Sequence, residues 1–316
     1  DLCLKEGIIV HLNARVTDIC MVEGTRTVFT VGGVQVEAKF MFGCDGVKSI
    51  VRAELFGKGK EVEPAYSGST VLMGCAPVTG SPGIKFATAQ NGVHSVFFNT
   101  AENEQIFQIF FPTPERPETW RPLSVAEGKQ ECDDLLAQLM LAGWHESFLA
   151  PLSCARDVIR VGLRARPPID HWFRGHTVLL GDACHPPVPY VGQGAMMAIE
   201  DVGVLVMLMK ELDVAASGHT SLCYALYQSL RRPRCLDVYN LSATLGEQRK
   251  KMSESVEAML DSERAIKAQI ASFGNLINMI STCCADTLEE ARSAASAAKA
   301  KQHRLAAYLA ETGVKR

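Results

Sequence analysis

The stretch from Gly175 to Leu205 constrains the fold more than any other part of the chain. Thr177–Leu180 is a short β-branched and apolar run, suited to a strand buried on both faces in a parallel sheet. Gly181-Asp182 ends it and leaves a carboxylate at the strand's carboxyl end, the edge at which open α/β sheets bind ligands. Pro186, Pro187 and Pro189 hold the next segment extended and bar a helix. Gly192-Gln193-Gly194 lets the backbone pass close to a bulky group. From Ala195 a helix is predicted, with Met197, Ile199, Val202, Leu205, Val206, Leu208 and Met209 on a wide apolar face. Its glycine-flanked start offers unpaired N–H groups at the positive end of the dipole, which suits an anion or a polarised carbonyl. Taken alone, the run could equally be a buried strand, a proline loop and a core helix.

A second run narrows the choice. Lys39–Cys44 reads as a strand that delivers Asp45-Gly46, and Ser49, placed to cap a helix, and Arg52 follow. An Asp-Gly turn by itself is weak evidence. The two runs together, in this order, resemble the paired motifs of the FAD-dependent aromatic hydroxylases, the flavoprotein monooxygenases related to para-hydroxybenzoate and salicylate hydroxylase. Leu180-Gly181-Asp182-Ala183 through Pro189, Gly192-Gln193-Gly194 and Glu200-Asp201 are similar to the second FAD motif, and Asp45-Gly46 to the Asp-Gly motif. The resemblance implies roles. Asp182 would hydrogen-bond the ribityl chain, and Pro189 would shape the loop against the cofactor. The backbone of Gly192, Gln193, Gly194, Ala195 and Met196 would face the N1/C2 side of the flavin ring. Asp45 and Gly46 would lie near the pyrophosphate and the approach of the nicotinamide nucleotide, and Arg52 would brace the loop. No catalytic base can be assigned. His185 beside the motif reads as a hydrogen-bonded structural histidine.

Composition agrees with a globular enzyme-sized chain. It has 316 residues, 47% of them hydrophobic and 21% charged, with net charge −3. No basic excess points to nucleic acid, and no apolar run reaches the ~18 residues of a membrane span. The 11 cysteines are scattered without a Cys-x-x-Cys pair, so reduced thiols, no metal and a cytoplasmic setting are expected. The opening segment reads as the end of a helix closed by Gly7, as though the chain begins mid-fold.

Further strands are predicted at Ile8–Leu12, Ala14–Val22, Thr27–Val31 and Val34–Ala38, and, in the next region, at Tyr66–Cys75, Ile84–Ala89, Val93–Asn99 and Gln105–Phe111. Alternation in the last puts Ile106 and Gln108 on one face and Phe107 and Ile109 on the other, without saying which lines a pocket. Ser124 can cap a helix, and Asp133–Leu141 reads helical, ending at Gly143. Arg156–Arg166 alternates as a strand, and Arg156, Arg160, Arg164 and Arg166 either recognise a carboxylate or form a solvated edge. The tail beyond Gly246 reads as helical, with apolar stripes at Leu276, Ile277 and Ile280 and at Leu305, Tyr308 and Leu309. The expected architecture is α/β (α+β): an incomplete FAD-binding Rossmann-like domain over 1–60 and 152–215, an inserted mixed β-sheet substrate domain over 61–151, and a helical region over 216–316.

One signal expected of such a domain is missing. The family opens with a strand, a Gly-x-Gly-x-x-Gly turn and a helix that cradle the FAD pyrophosphate, and no such fingerprint occurs here. The strands ending at Cys44 and Leu180 would lack a neighbour, and unpaired buried backbone groups cost roughly 1–3 kcal/mol each. Another segment, a homo-oligomeric copy, a partner chain or the helical tail would have to cover them. The resemblance implies hydroxylation of an aromatic or phenolic small molecule, polyketide-type compounds included, with FAD, NAD(P)H and O2. The alternatives are a family member without FAD, acting as a non-redox cyclase or isomerase, and a non-catalytic binding or partner subunit.

Overall fold

Hydrogen-bonded ladders gather the strands into three sheets in the computed structural model, which describes residues 2–22, 26–57, 59, 63–78, 84–88, 92–117, 121–251 and 287–301. The chain opens with one helical turn, α1 (Leu2–Lys5), closed at Gly7 as its sequence predicts. The strand expected at Ile8–Leu12 does not form. Its residues find no ladder partner, and Ile9 and Leu12 stand 79% and 83% exposed. An apolar run becomes a strand only where a neighbour takes up its backbone groups. The three strands that follow do pair, as the antiparallel meander β1 (Val16–Val22), β2 (Arg26–Val31) and β3 (Val34–Ala38).

The second sheet carries the site. β4 (Met41–Gly43) and β11 (Thr177–Leu179) run parallel, with Leu179 opposite Gly43, and β10 (Phe173–Arg174) pairs antiparallel on the far side of β11. Strands so distant in sequence and joined by a crossover can meet in parallel, whereas hairpin neighbours cannot. β4 is the outer strand of this sheet among the described residues, and Phe42 is 43% exposed there. Helix α2 (Ile50–Phe56) follows β4 and buries Val51, Arg52 and Leu55.

The third sheet has the order β6 (Lys85–Thr88), β7 (His94–Ala101), β8 (Glu104–Pro112), β5 (Ala65–Pro77), β9 (Arg156–Ala165). A mixed sheet was expected here. Its ladders are all antiparallel, as suits strands separated by only a few residues, β6 from β7 and β7 from β8. β9 pairs along β5, so the sheet reaches past the boundary drawn at residue 151. Helices α3 (Val125–Leu141) and α4 (Glu146–Ser153) cover one face. There Leu72, Phe97, Phe107 and Ile109 pack with Cys132, Leu135 and Leu139. Each such side chain contributes about 1.5–3 kcal/mol by leaving water. α3 starts where Ser124 predicts, through a reciprocal capping box with Glu127.

The remaining helices are α5 (Gly194–Glu211), α6 (Val214–Ser217), α7 (Thr220–Lys251) and α8 (287–301). The wide apolar face predicted for α5 divides in two. Met197, Leu205 and Leu208 enter a core with Trp172, Leu179, Tyr224 and Tyr227, while Ile199, Val202 and Val206 remain 62%, 51% and 43% exposed. α8 lays Ala291 and Ala295 on that core. The stripes at Leu276–Ile280 and Leu305–Leu309 lie outside the described residues. None of the described helices is long and apolar enough to cross a membrane.

Candidate functional site

Asp182 sits where its sequence context places it, in a 3-10 turn (Gly181–Ala183) directly beyond the carboxyl end of β11. The turn needs glycine at its first position. Gly181 has φ +58°, and a Cβ there would lie 3.1 Å from the Ala198 Cβ of α5. The turn is also tied down. The Asp201 carboxylate accepts the Gly181 backbone N–H at 2.9 Å and lies 2.6 Å from His185 Nε2, and the Arg231 Nε–H donates to it at 2.8 Å. Arg231 donates a second bond, of 2.6 Å, to Glu200, and Arg234 grips the same carboxylate with two bonds of 2.6 Å. Asp201 and Arg231 are fully buried. Burial alone would raise the Asp201 pKa, but His185 and Arg231 hold it below the usual carboxylate range. Two helices and the Asp182 turn are thereby joined through one charge network.

His185 is structural, as expected, yet its electrostatics are unusual. Burial disfavours its charged form, while the Cys184 sulfur and the Asp201 carboxylate favour it, and its pKa ends well above the ordinary histidine value. Burial pushes the Cys184 thiol up to about 11, so it is neutral at ordinary pH and the carboxylate is the decisive partner. Cys184, His185 and Asp201 hold potential metal-ligand atoms within 4.8 Å of one another. The hydrogen bonds from Gly181 and Arg231 already occupy the Asp201 oxygens, and the adjacent guanidinium opposes a cation.

Above this base the Asp182 carboxylate is exposed and accepts no hydrogen bond among the described residues. Its surroundings nonetheless crowd out enough water to raise its pKa. The chain then passes through a second 3-10 turn (Pro189–Val191), with Pro189 exposed, to Gly192 at φ +65°. The first internal bond of α5 is Met197 N–H to the Gln193 carbonyl at 2.9 Å. The N–H groups of Gly194, Ala195 and Met196 precede that ladder and have no helical acceptor. No packing demand explains Gly194, since a Cβ there would meet nothing within 4 Å. Gln193 Oε1 is buried without a partner. The Asp182 side chain is therefore exposed, and a Cβ at Gly192 or Gly194 would meet open space.

Asp45, expected near the pyrophosphate, is engaged by the start of α2. Its carboxylate accepts Ser49 Oγ–H at 2.6 Å, Ile50 N–H at 2.7 Å and Val51 N–H at 3.1 Å, which caps α2. Gly46, at φ +77°, turns the chain into that cap. Arg52 braces the loop: it donates to the Ala183 carbonyl at 3.1 Å and the Val47 carbonyl at 3.0 Å. Arg166 converges on the same place, donating to the carbonyls of Ala183 at 3.0 Å and Cys184 at 2.7 Å. Burial, and then the like charge of Arg52, lowers the Arg166 pKa to about 10. Two buried guanidiniums thus fix the backbone just past Asp182. Sequence reading missed this convergence and the Arg231–Asp201–Glu200 network. An acidic doublet inside an apolar helix, with an arginine cluster downstream, is the signal that points to the latter.

The antiparallel sheet approaches the site from above. Tyr190, in the Pro189–Val191 turn, lies 5.4 Å from the His94 ring and 6.3 Å from the Phe110 ring. His94 stacks on Phe110 at 4.5 Å with 1° between planes. The face toward the site is therefore that of Ile106, Gln108 and Phe110, opposite the α3 face of Phe107 and Ile109. The strand arginines are occupied elsewhere. Arg156 pairs with Glu104, Arg160 with Glu131 of α3 at 3.5 Å, and Arg164 with Glu115.

The FAD binding domain family matches residues 13–239. A 6-hydroxynicotinate 3-monooxygenase of Pseudomonas fluorescens is 31% identical over 217 residues, covering 66% of this chain and 53% of that protein. A 3-amino-4-hydroxybenzoate 2-monooxygenase of Streptomyces cremeus is 30% identical over 232 residues, covering 72% and 54%. The chain spans about half the length of these curated relatives. Among solved structures, Klebsiella pneumoniae HpxO complexed with FAD and uric acid superposes with a TM-score of 0.63 at 19% identity, covering 87% of this chain and 66% of that one. That likeness concerns the fold. FqzB superposes at 0.60 with 25% identity, covering 78% and 58%.

Proposed function

The chain belongs to the FAD binding domain family of flavoprotein monooxygenases, and from that premise we propose that it serves the hydroxylation of an aromatic or phenolic small molecule with FAD, NAD(P)H and O2. The observation that carries this reading is the pairing, past the end of β11, of an exposed Asp182 carboxylate with the start of α5, where the N–H groups of Gly194, Ala195 and Met196 precede the first helical bond. Donors on one side and a lone acceptor on the other suit a ring with a carbonyl edge and a hydroxylated chain.

These residues fit FAD on its flavin side. Asp182 would accept from the ribityl hydroxyls. Gly192 and Gly194 would leave room for the ring, and Pro189, Gln193, Ala195 and Met196 would shape its border. Asp45 and Gly46 fit less directly, because the Asp45 carboxylate is already engaged by α2. We assign them to shaping the loop on the pyrophosphate side. FAD when bound supplies the electron transfer from NAD(P)H and the activation of O2. The protein contributes orientation, exclusion of water and the positive helix end. Arg52 and Arg166 keep the Asp182 loop in register, and the network at Asp201 keeps α5 against it.

The relatives named for 6-hydroxynicotinate and 3-amino-4-hydroxybenzoate support an aromatic substrate. We place the protein in the cytoplasm with its thiols reduced. The outer edge of β4 we assign to a strand from another segment or a partner chain, which light scattering tests. The visible spectrum of the purified chain, before and after addition of FAD and desalting, tests the central reading. A retained flavin band is expected. A folded chain that retains none would shift the assignment to a flavin-free enzyme or a binding subunit.

A further inference from the structure

The face of the antiparallel sheet turned toward the site has an uneven chemistry. Met73 and Val96 flank Gln108 directly across the ladders. Val71, Phe110 and Val161 form the next row. Paired residues share a face, so one amide stands in an apolar field. Gln108 is half-buried and makes no hydrogen bond among the described residues. Being only half-buried, its amide stays within reach of water or of a docked hydrogen-bonding group.

Cationic side chains nearby are already engaged. Arg160 and Arg164 bind Glu131 and Glu115. Arg166 is spent on backbone carbonyls beneath the Asp182 turn. Arg156 lies one register row outward from Gln108, at the solvent edge, where Glu104 binds it. His94 stacks on Phe110. Among the described residues, the row at Gln108 therefore offers a ligand dispersion contacts from Met73 and Val96 and one neutral hydrogen-bonding group. A carboxylate laid against it would lose its hydration without gaining a counter-charge.

We propose that this face selects an uncharged aromatic substrate, held by apolar contact and oriented by one hydrogen bond from its hydroxyl or carbonyl group to the Gln108 amide. This deepens the hydroxylase reading and rests on it. Gln108 is a positioning residue, and the selected class is a neutral phenol or fused-ring hydroxyarene without a carboxylate. The half-buried Met73 and Val96 beside Gln108 supply the apolar contact, whereas Val71 and Phe110 are already buried.

The test compares 2-naphthol with 6-hydroxy-2-naphthoate, two probes that differ by one carboxylate. Binding to the full chain is followed by fluorescence at neutral pH, with FAD retention measured separately on the same preparation. 2-Naphthol is expected to bind tighter by about tenfold or more, the scale of leaving a charged group desolvated and unpaired. Gln108→Leu should weaken 2-naphthol about fivefold, the loss of one neutral hydrogen bond. Gln108→Arg should reverse the order of the two probes. Equal or tighter binding of the carboxylate by the unaltered chain would overturn the proposal, as would binding of neither probe by a chain shown folded by circular dichroism. Loss of FAD binding alone would sink the hydroxylase reading, with the two dissociation constants still readable. A carboxylate preference in an FAD-retaining chain would sink the substrate class alone.

Discussion

The buried carboxylate of Asp201 accepts the backbone N–H of Gly181 at 2.9 Å, so a residue inside α5 sets the position of the turn that presents Asp182. The same carboxylate neutralises Arg231 and faces His185. Its removal would take the acceptor from three buried groups, the Gly181 N–H, His185 Nε2 and the Arg231 Nε–H. Asp201→Ala is expected to cost roughly 3–5 kcal/mol, the range for breaking a buried ion pair. Urea denaturation measures it. Arg232→Ala breaks a pair whose Asp170 side chain is 83% exposed, and should cost less than about 1 kcal/mol.

The same contact predicts a pH dependence. The folded His185 pKa lies above its ordinary value, so its contribution is complete below the unfolded histidine pKa of about 6.5. It declines above that pH and is lost as pH rises through the folded value. For Asp201 the shift is downward, so its contribution is present above the ordinary carboxylate pKa and lost as pH falls through the folded one. Thermal unfolding of the parent chain and of His185→Gln should therefore differ most near pH 6 and converge on the alkaline side. A gap that stays constant from pH 6 to 10 would contradict this.

Asp182 and Ser124 separate cofactor binding from stability. Asp182→Ala removes an exposed acceptor that makes no hydrogen bond among the described residues, so the urea midpoint should hold while FAD affinity falls about tenfold or more. Ser124→Ala breaks the α3 capping box and should cost about 1 kcal/mol without altering FAD affinity. Flavin titration alongside denaturation reads both quantities.

Gly181 and Gly194 make a second contrast. Gly181→Ala adds a Cβ at positive φ, 3.1 Å from Ala198, and should destabilise the chain by about 1–3 kcal/mol. Gly194→Ala meets nothing in the protein, so stability should stay level or rise slightly, while the added methyl narrows the space assigned to the flavin. Equal loss of stability in both variants would show that Gly194 serves packing instead.

Much of this protein could be read in its residues, because its strongest signals are local. β11, the Gly181-Asp182 turn, the proline loop and α5 each answer to the backbone preferences of a few consecutive residues. So do the Ser124 cap and the alternation that separates Gln108 from Phe107. The limits appear wherever a partner lies far away in the chain. Ile8–Leu12 looks like a strand and is not one, since no neighbour takes its hydrogen bonds. Asp45 resembles a cofactor ligand, yet only the path of α2 shows its carboxylate engaged by Ile50 and Val51. Arg52 and Arg166 meet at the Ala183 carbonyl across more than a hundred residues, and Asp201 meets Arg231 only where α7 crosses α5. Periodicity and turn chemistry therefore determine the elements and the exposed Asp182. Packing in three dimensions decides which charges are spent on structure and which face of the sheet α3 and α4 cover.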